Sequence, residues 1–332
     1  MRSRWGDNEE QREFTKTVRT MNTKLWGIAV GILTLGIASS ARAENPEHLR
    51  QLLSTGQCPG CDLRDADLAR ITLPNANLEG ANLSGVELED AYLGGANLKD
   101  ANLYKAKMNN AYLGKANLQG ANLADTILES ANLRDANLQG ANLRGANLTT
   151  RRTQPTYLQR ANLRNADLSD AELNGAYLDG ANLEGANLSG ADLSIAIYRD
   201  FWSGDEYQVL THAIGVNFRG ADLTDAELNN TLLVSADLAN ATLVNAQMER
   251  ADLNNAVLTD ANLQGADLDR AVLIDANLEN ASLRTTSLKK ADLRGANLTG
   301  ANLVTAKTGK ANFCQATMPD GAVSEEGCEE KD

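Results

Sequence analysis

Histidine is nearly missing from this 332-residue chain, which carries only His48 and His212. Neither stands in a spacing that builds a catalytic triad, a zinc motif or a carboxylate dyad, so imidazole catalysis has no framework here. The sequence also lacks a P-loop and a G-x-G-x-x-G placed after a strand, the usual phosphate cradles. Positive charge is in deficit: the formal net charge is −13, which argues against nucleic acid or an anionic membrane as partner. Aromatic residues make up 4%. The apolar run from Leu25 to Ile37 is shorter than the roughly 20 residues of a membrane-spanning helix. An enzyme, a cofactor, a metal site and an integral membrane span after signal cleavage are therefore not expected.

What the chain has in abundance is a five-residue count. Between Leu63 and Phe313, leucine holds 41 of 46 pentad centres, every one at a number ending in 3 or 8. The other centres are Met108, Phe218, Met248, Thr308 and Phe313, and a small residue, nearly always alanine, stands two places before each centre. A helix wants apolar residues at a period of about 3.6 and a flat strand at about 2, so apolar positions three and two apart fit neither. The chain must turn regularly. If each pentad is one side of a coil and four close a square, leucine and alanine point inward and the remaining residues face water. Asn, Asp and Gly at the flanking sites tolerate the backbone angles a corner requires.

Units such as Ala76-Asn77-Leu78-Glu79-Gly80 and Ala81-Asn82-Leu83-Ser84-Gly85 resemble the pentapeptide-repeat family over about residues 61–313. The resemblance implies a right-handed quadrilateral β-helix, an all-β solenoid, here of about eleven or twelve coils. It also raises two functional expectations. Some members are acidic rods that occupy the DNA site of gyrase, and exported members of this look are frequent in cyanobacteria.

The organisation follows. Residues 1–20 are a polar extension, either upstream of a true start at Met21 or an extended n-region. Residues 21–43 read as a secretory signal, with Lys24, an apolar core and Ala41-Arg42-Ala43 before the cleavage point. Removing residues 1–43, with seven basic and four acidic side chains, takes the charge from −13 to −16. Residues 44–60 hold a capping helix that starts at Asn45-Pro46 and a CxxC. Solenoid segments 61–197 and 216–313 flank an aromatic insertion at 198–215, and 314–332 form a C-terminal cap and tail that Met318-Pro319-Asp320-Gly321 turns away from the rod. In an exported protein Cys58 with Cys61 and Cys314 with Cys328 are expected as disulfides clamping the two ends. A thiol redox couple at Cys58 and Cys61 is the competing account, and no strand-helix-strand unit surrounds it.

The repeat breaks twice, at 149–155 and at 198–215. The second break holds Tyr198, Phe201, Trp202, Tyr207 and His212 in a chain otherwise poor in aromatics. Such a segment either folds back over an irregular coil or forms a recognition surface. By the 20-residue count Leu232, Val234, Val272 and Ile274 share one outward face, a candidate docking or homodimer patch. Tyr92 with Tyr112, and Tyr157 with Tyr177, are each expected to stack. Both pairs share a face if 149–153 loops out, and lie on adjacent faces if not. Acidic clusters such as Glu87, Glu89 and Asp90 read as solvated surface.

The favoured function is an exported, non-catalytic scaffold in periplasm or thylakoid lumen that presents a surface to an unknown protein partner. Phe201, Trp202, Tyr207, His212, Leu232, Val234, Val272 and Ile274 are its candidate contacts. An acidic DNA mimic acting on a DNA-processing protein such as gyrase, and a thiol redox protein, are the alternatives.

Overall fold

The computed structural model describes residues 45–150, 154–199 and 204–328. The signal segment 21–43, the polar extension 1–20, and the candidate residues Phe201 and Trp202 lie outside them. From Gln57 onward the chain winds in square coils. Parallel single-residue bridges stack into four walls, which run from Gln57 to Thr317 (wall A), Asp62 to Asn302 (wall B), Asp67 to Lys307 (wall C) and Thr72 to Asn312 (wall D). Wall D has twelve members, so at about 4.8 Å per layer it extends about 53 Å.

The pentad explains each turn of the coil. A centre donates to the coil ahead (Leu63 N to Asn82 O, 2.8 Å), and the residue before each centre donates to the coil behind (Asn82 N to Cys61 O, 2.8 Å). The corner closes through Ala66 N to Leu63 O at 3.2 Å, with Asp65 at φ 55. Within the regular coils every fifth residue takes this left-handed conformation, and glycine, asparagine and aspartate adopt it at least cost. Thr285 (φ 58) and Thr305 (φ 62) adopt it against the preference of a branched side chain.

Leu78, Leu98 and Leu118 follow one another up wall A, each at most 1% exposed, and the leucine and alanine columns fill the shaft throughout. Outside, the asparagines before the centres form an amide ladder. Asn97, Asn117, Asn137 and Asn162 donate in turn to the Oδ1 of the asparagine one coil earlier, at 2.9–3.2 Å. The same Oδ1 atoms accept the amide two residues on, as in Glu79 N to Asn77 at 3.2 Å. Asparagine thus ties both the corner and the stack.

Helix α1 (Pro46–Thr55) begins where Asn45 Oδ1 accepts Glu47 N and His48 N, and ends at Gly56, φ 66. Leu52 is fully buried and Leu49 packs on the core, while His48 Nδ1 accepts the amide of Asp62 at 2.9 Å. Cys58 and Cys61 are bonded, and both are buried inside the first coil. Cys314 is bonded to Cys328. After a turn closed by Gly321 N to Met318 O at 2.9 Å, the C-terminal segment does not leave the rod. It folds back onto the last coil, with Thr317 pairing antiparallel to Val323. The sequence expectation of a chain turned away is corrected: Phe313 N and Gln315 N would otherwise face solvent and instead donate to Glu326 O and Ser324 O.

Candidate partner-binding wall

The two interruptions of the repeat leave the solenoid at one corner. Across the first, Asn132 bridges Tyr157, five residues more than a regular coil; across the second, Tyr177 bridges His212, fifteen more. Both fall between wall C and wall D, because Asn147 and Asp192, the last members before each break, belong to wall C. Gly175 is the corner between them, at φ 71. A Cβ there would lie 2.5 Å from Thr150 Oγ1 and 3.0 Å from Ala196 Cβ.

A buried threonine ties the base of each excursion. Thr156 Oγ1 donates toward Leu128 O and Thr149 O, both at 3.1 Å. Thr211 Oγ1 donates to Ser194 O at 2.8 Å and accepts Gly175 N at 2.8 Å. Each stands in the small-residue slot two places before a centre, where alanine could not bond the carbonyls that the break exposes. These threonines are site-shaping residues that the sequence reading missed; a hydroxyl in that slot directly after a break is the signal.

Between Ser194 and Thr211 the second excursion is a hairpin of β1 (Ala196–Arg199) and β2 (Glu206–Val209), antiparallel, with Tyr198 opposite Tyr207. Their rings stack at 6.4 Å, and Arg199 lies 3.9 Å from Glu206. Ile197 is 62% and Tyr207 44% exposed. The coil resumes at Thr211 rather than at Val216, since Ala213 is a fully buried centre. His212 therefore belongs to wall D and not to the insertion. Small Ala213 and large Phe218 are successive centres of one coil, and both are fully buried.

Wall D carries Tyr92, Tyr112, Asn132, Tyr157, Tyr177, His212, Leu232, Asp252 and Val272 in one column. The two tyrosine pairs share a face because the first break loops out. Tyr92 and Tyr112 stack at 4.8 Å and 3°. Tyr157 and Tyr177 do not stack; they meet edge to face at 5.9 Å and 88°, a correction with a clear cause. The Arg134 guanidinium sits 4.2 Å over the Tyr157 ring, and His212 stacks on Tyr177 at 4.2 Å. Burial, then the neighbouring Tyr157 and Asp179, raise the Tyr177 phenol above its ordinary value. Leu232 and Val272 lie two coils apart in this column, with Val234 and Ile274 on the same wall, all half-buried. Exposed Ile214, which sequence reasoning passed over, joins them.

The profile described as pentapeptide repeats matches residues 61–149, 156–194 and 211–303 in overlapping copies. The chain belongs to the pentapeptide-repeat family. Among solved pentapeptide-repeat structures, HetL, involved in heterocyst differentiation regulation in the cyanobacterium Nostoc sp. strain PCC 7120, is 31% identical; the match covers 84% of this chain and 99% of HetL, with a TM-score of 0.30. Rfr23 from the cyanobacterium Cyanothece 51142 is 30% identical over 42% of this chain and 85% of its own, TM-score 0.17. A thylakoid-lumen protein from Arabidopsis thaliana is 23% identical over 40% and 73%, TM-score 0.25. No curated protein sequence matches.

For a pentapeptide-repeat protein the handedness of the coil is right and its section quadrilateral, and the two breaks in the profile match coincide with the two excursions at the Gly175 corner. Among the described residues no helix is long and apolar enough to cross a membrane, and no cluster of histidine, cysteine, aspartate or glutamate is placed to hold a metal.

Proposed function

We propose that this pentapeptide-repeat protein is an exported, non-catalytic scaffold that docks a partner protein along wall D and the adjoining hairpin. The observation that carries the reading is that the hairpin bearing exposed Ile197 and Tyr207 leaves the coil at the corner where wall D begins, and that this wall continues through His212, Ile214, Leu232 and Val234. Aromatic and branched apolar side chains at one place on an otherwise polar rod suit the centre of a protein interface. Phe201 and Trp202 fall between the two hairpin strands in sequence and belong to the same reading. On this reading α1 caps the first of twelve coils and the returning C-terminal strand caps the last.

Export rests on the signal-like segment 21–43 and on two disulfides, which persist in oxidising compartments such as periplasm or thylakoid lumen. Burial of Cys58 and Cys61 under α1 supports a clamp over a redox couple, because exchange requires a thiolate to reach sulfur. The acidic-mimic reading needs the protein in the same compartment as DNA, so fractionation separates it from docking after export. The docking reading is tested by replacing Trp202, Tyr207 and Ile197 singly with alanine and measuring capture of a partner from a native extract. Loss of capture with an unchanged circular dichroism spectrum is expected; full capture by all three variants contradicts it.

A further inference from the structure

The C-terminal end of the rod is half covered and half open. The chain's own segment from Asp320 to Glu326 lies over walls D and A, where Phe313 N, Gln315 N and Met318 N donate to Glu326 O, Ser324 O and Ala322 O. Among the described residues no strand covers the last coil on walls B and C. Among the described residues the equivalent amides of Leu303, Thr305, Thr308 and Lys310 have no acceptor, and the carbonyls of Ala301 and Ala306 receive no donor. Leu303 packs on the core from the rim, and Val304 is 57% exposed. This is an unpaired sheet edge with an apolar lip, the arrangement an extended peptide completes by adding a strand.

Charge says which peptide. Residues 281–310 hold six basic side chains and one carboxylate, Asp292, a local balance of +5 in a chain of net −13. Arg294 is spent on Asp292 at 2.7 Å and Lys289 lies 3.8 Å from Asp269, whereas Arg284, Lys290, Lys307 and Lys310 face no carboxylate among the described residues. The strand that covers the other half is acidic, with Asp320, Glu325 and Glu326. A second copy meeting this end through its own basic rim would bring like charges together.

We propose that the open edge formed by residues 302–310 is a second docking site, which takes an extended acidic segment of a partner protein as an added strand. The segment bends around the corner between walls B and C, as the chain's own cover bends between D and A, supplies backbone carbonyls to Leu303, Thr305, Thr308 and Lys310, sets its carboxylates against Lys307 and Lys310, and covers Leu303. The site lies at the end of the rod and does not depend on wall D.

The probe is a fluorescent peptide with the sequence of Pro319–Gly327, titrated by anisotropy into the disulfide-intact chain at low and at physiological salt, with amide shifts followed by NMR. Saturable binding that weakens with salt, with shifts confined to residues 302–310, is expected. Lys307→Glu with Lys310→Glu should weaken it at least tenfold, as should a peptide whose glutamates are replaced by lysine. The double variant keeps the core, and its circular dichroism spectrum checks that. Three results overturn the proposal: no binding by the wild type, binding indifferent to both charge reversals, or self-association of the wild type through this edge. Lysines that only keep the edge from pairing would give a fourth: oligomers on Lys307→Ala with Lys310→Ala and no peptide binding by the wild type.

Discussion

Tyr177 and His212 stand thirty-five residues apart in sequence and stack ring on ring at 4.2 Å, as neighbours one layer apart on wall D. Fifteen residues are thus looped out without disturbing the ladder beneath them. Deleting residues 196–210 restores a coil of twenty residues and places Ile195 directly before Thr211. The shortened chain is expected to melt within a few degrees of the parent, since loop length contributes weakly to stability, and to lose partner capture. A collapsed melting transition would show that the hairpin holds the coil together.

Thr211 is the joint on which this excision depends. Thr211→Val removes a hydroxyl that serves both Gly175 N and Ser194 O inside the corner. Leaving those buried groups unsatisfied costs about 1–3 kcal/mol, read as a shift in the urea midpoint at constant slope. An unchanged midpoint would mean that water replaces the hydroxyl.

Thr285 sits at φ 58, where a β-branched residue is strained. Thr285→Gly is expected to raise stability by about 1 kcal/mol, the scale of the left-handed penalty for a side chain. The same denaturant titration reads it, and a destabilised variant would show that the Thr285 side chain contributes more than its backbone costs.

Acid should weaken the fold through its carboxylates. The guanidiniums of Arg160, Arg64 and Arg294 hold Asp135, Asp62 and Asp292 below the ordinary carboxylate value. A carboxyl that binds its proton less readily when folded stabilises in full above the unfolded value of about 4. That contribution disappears as pH falls through the lowered folded values. Arg160→Gln should therefore narrow its stability gap from wild type as pH drops from 7 to 2.5; a gap that does not change with pH would remove Asp135 from the account.

Much of this was legible in the residue numbering. A centre at every fifth residue fixes which side chains enter the shaft, and the alanine two places earlier fixes where the corner is tight. Cys58 and Cys61 fall in frame, so their burial followed from counting. The face shared by Leu232, Val234, Val272 and Ile274 followed likewise, because no interruption lies between them. What the count could not supply was the size of each excursion. Five residues after Asn147 and fifteen after Asp192 are multiples of the pentad, so the numbering frame is the same whether they are wound in or looped out. That choice decides whether Tyr92 and Tyr177 share a wall, and it is made by Thr156 and Thr211 closing the bases. The same ambiguity extended the insertion through Gly215, although Ala213 is a centre in which alanine stands for leucine. Ring geometry was also out of reach, since Arg134 and His212 reach the tyrosine rings only once the coils are stacked.

The central claim is that an interruption of the repeat is looped out at a corner, and that wall D runs unbroken past the longer one between Asp192 and His212. Nitroxide labels at residues 159 and 274, both on wall D, with the hairpin between them in sequence, test it by pulsed dipolar spectroscopy. Five layers predict a backbone separation of about 24 Å. A hairpin wound into the solenoid would add most of a layer and move residue 274 to the adjacent wall, giving about 30 Å, and that distance would contradict the account.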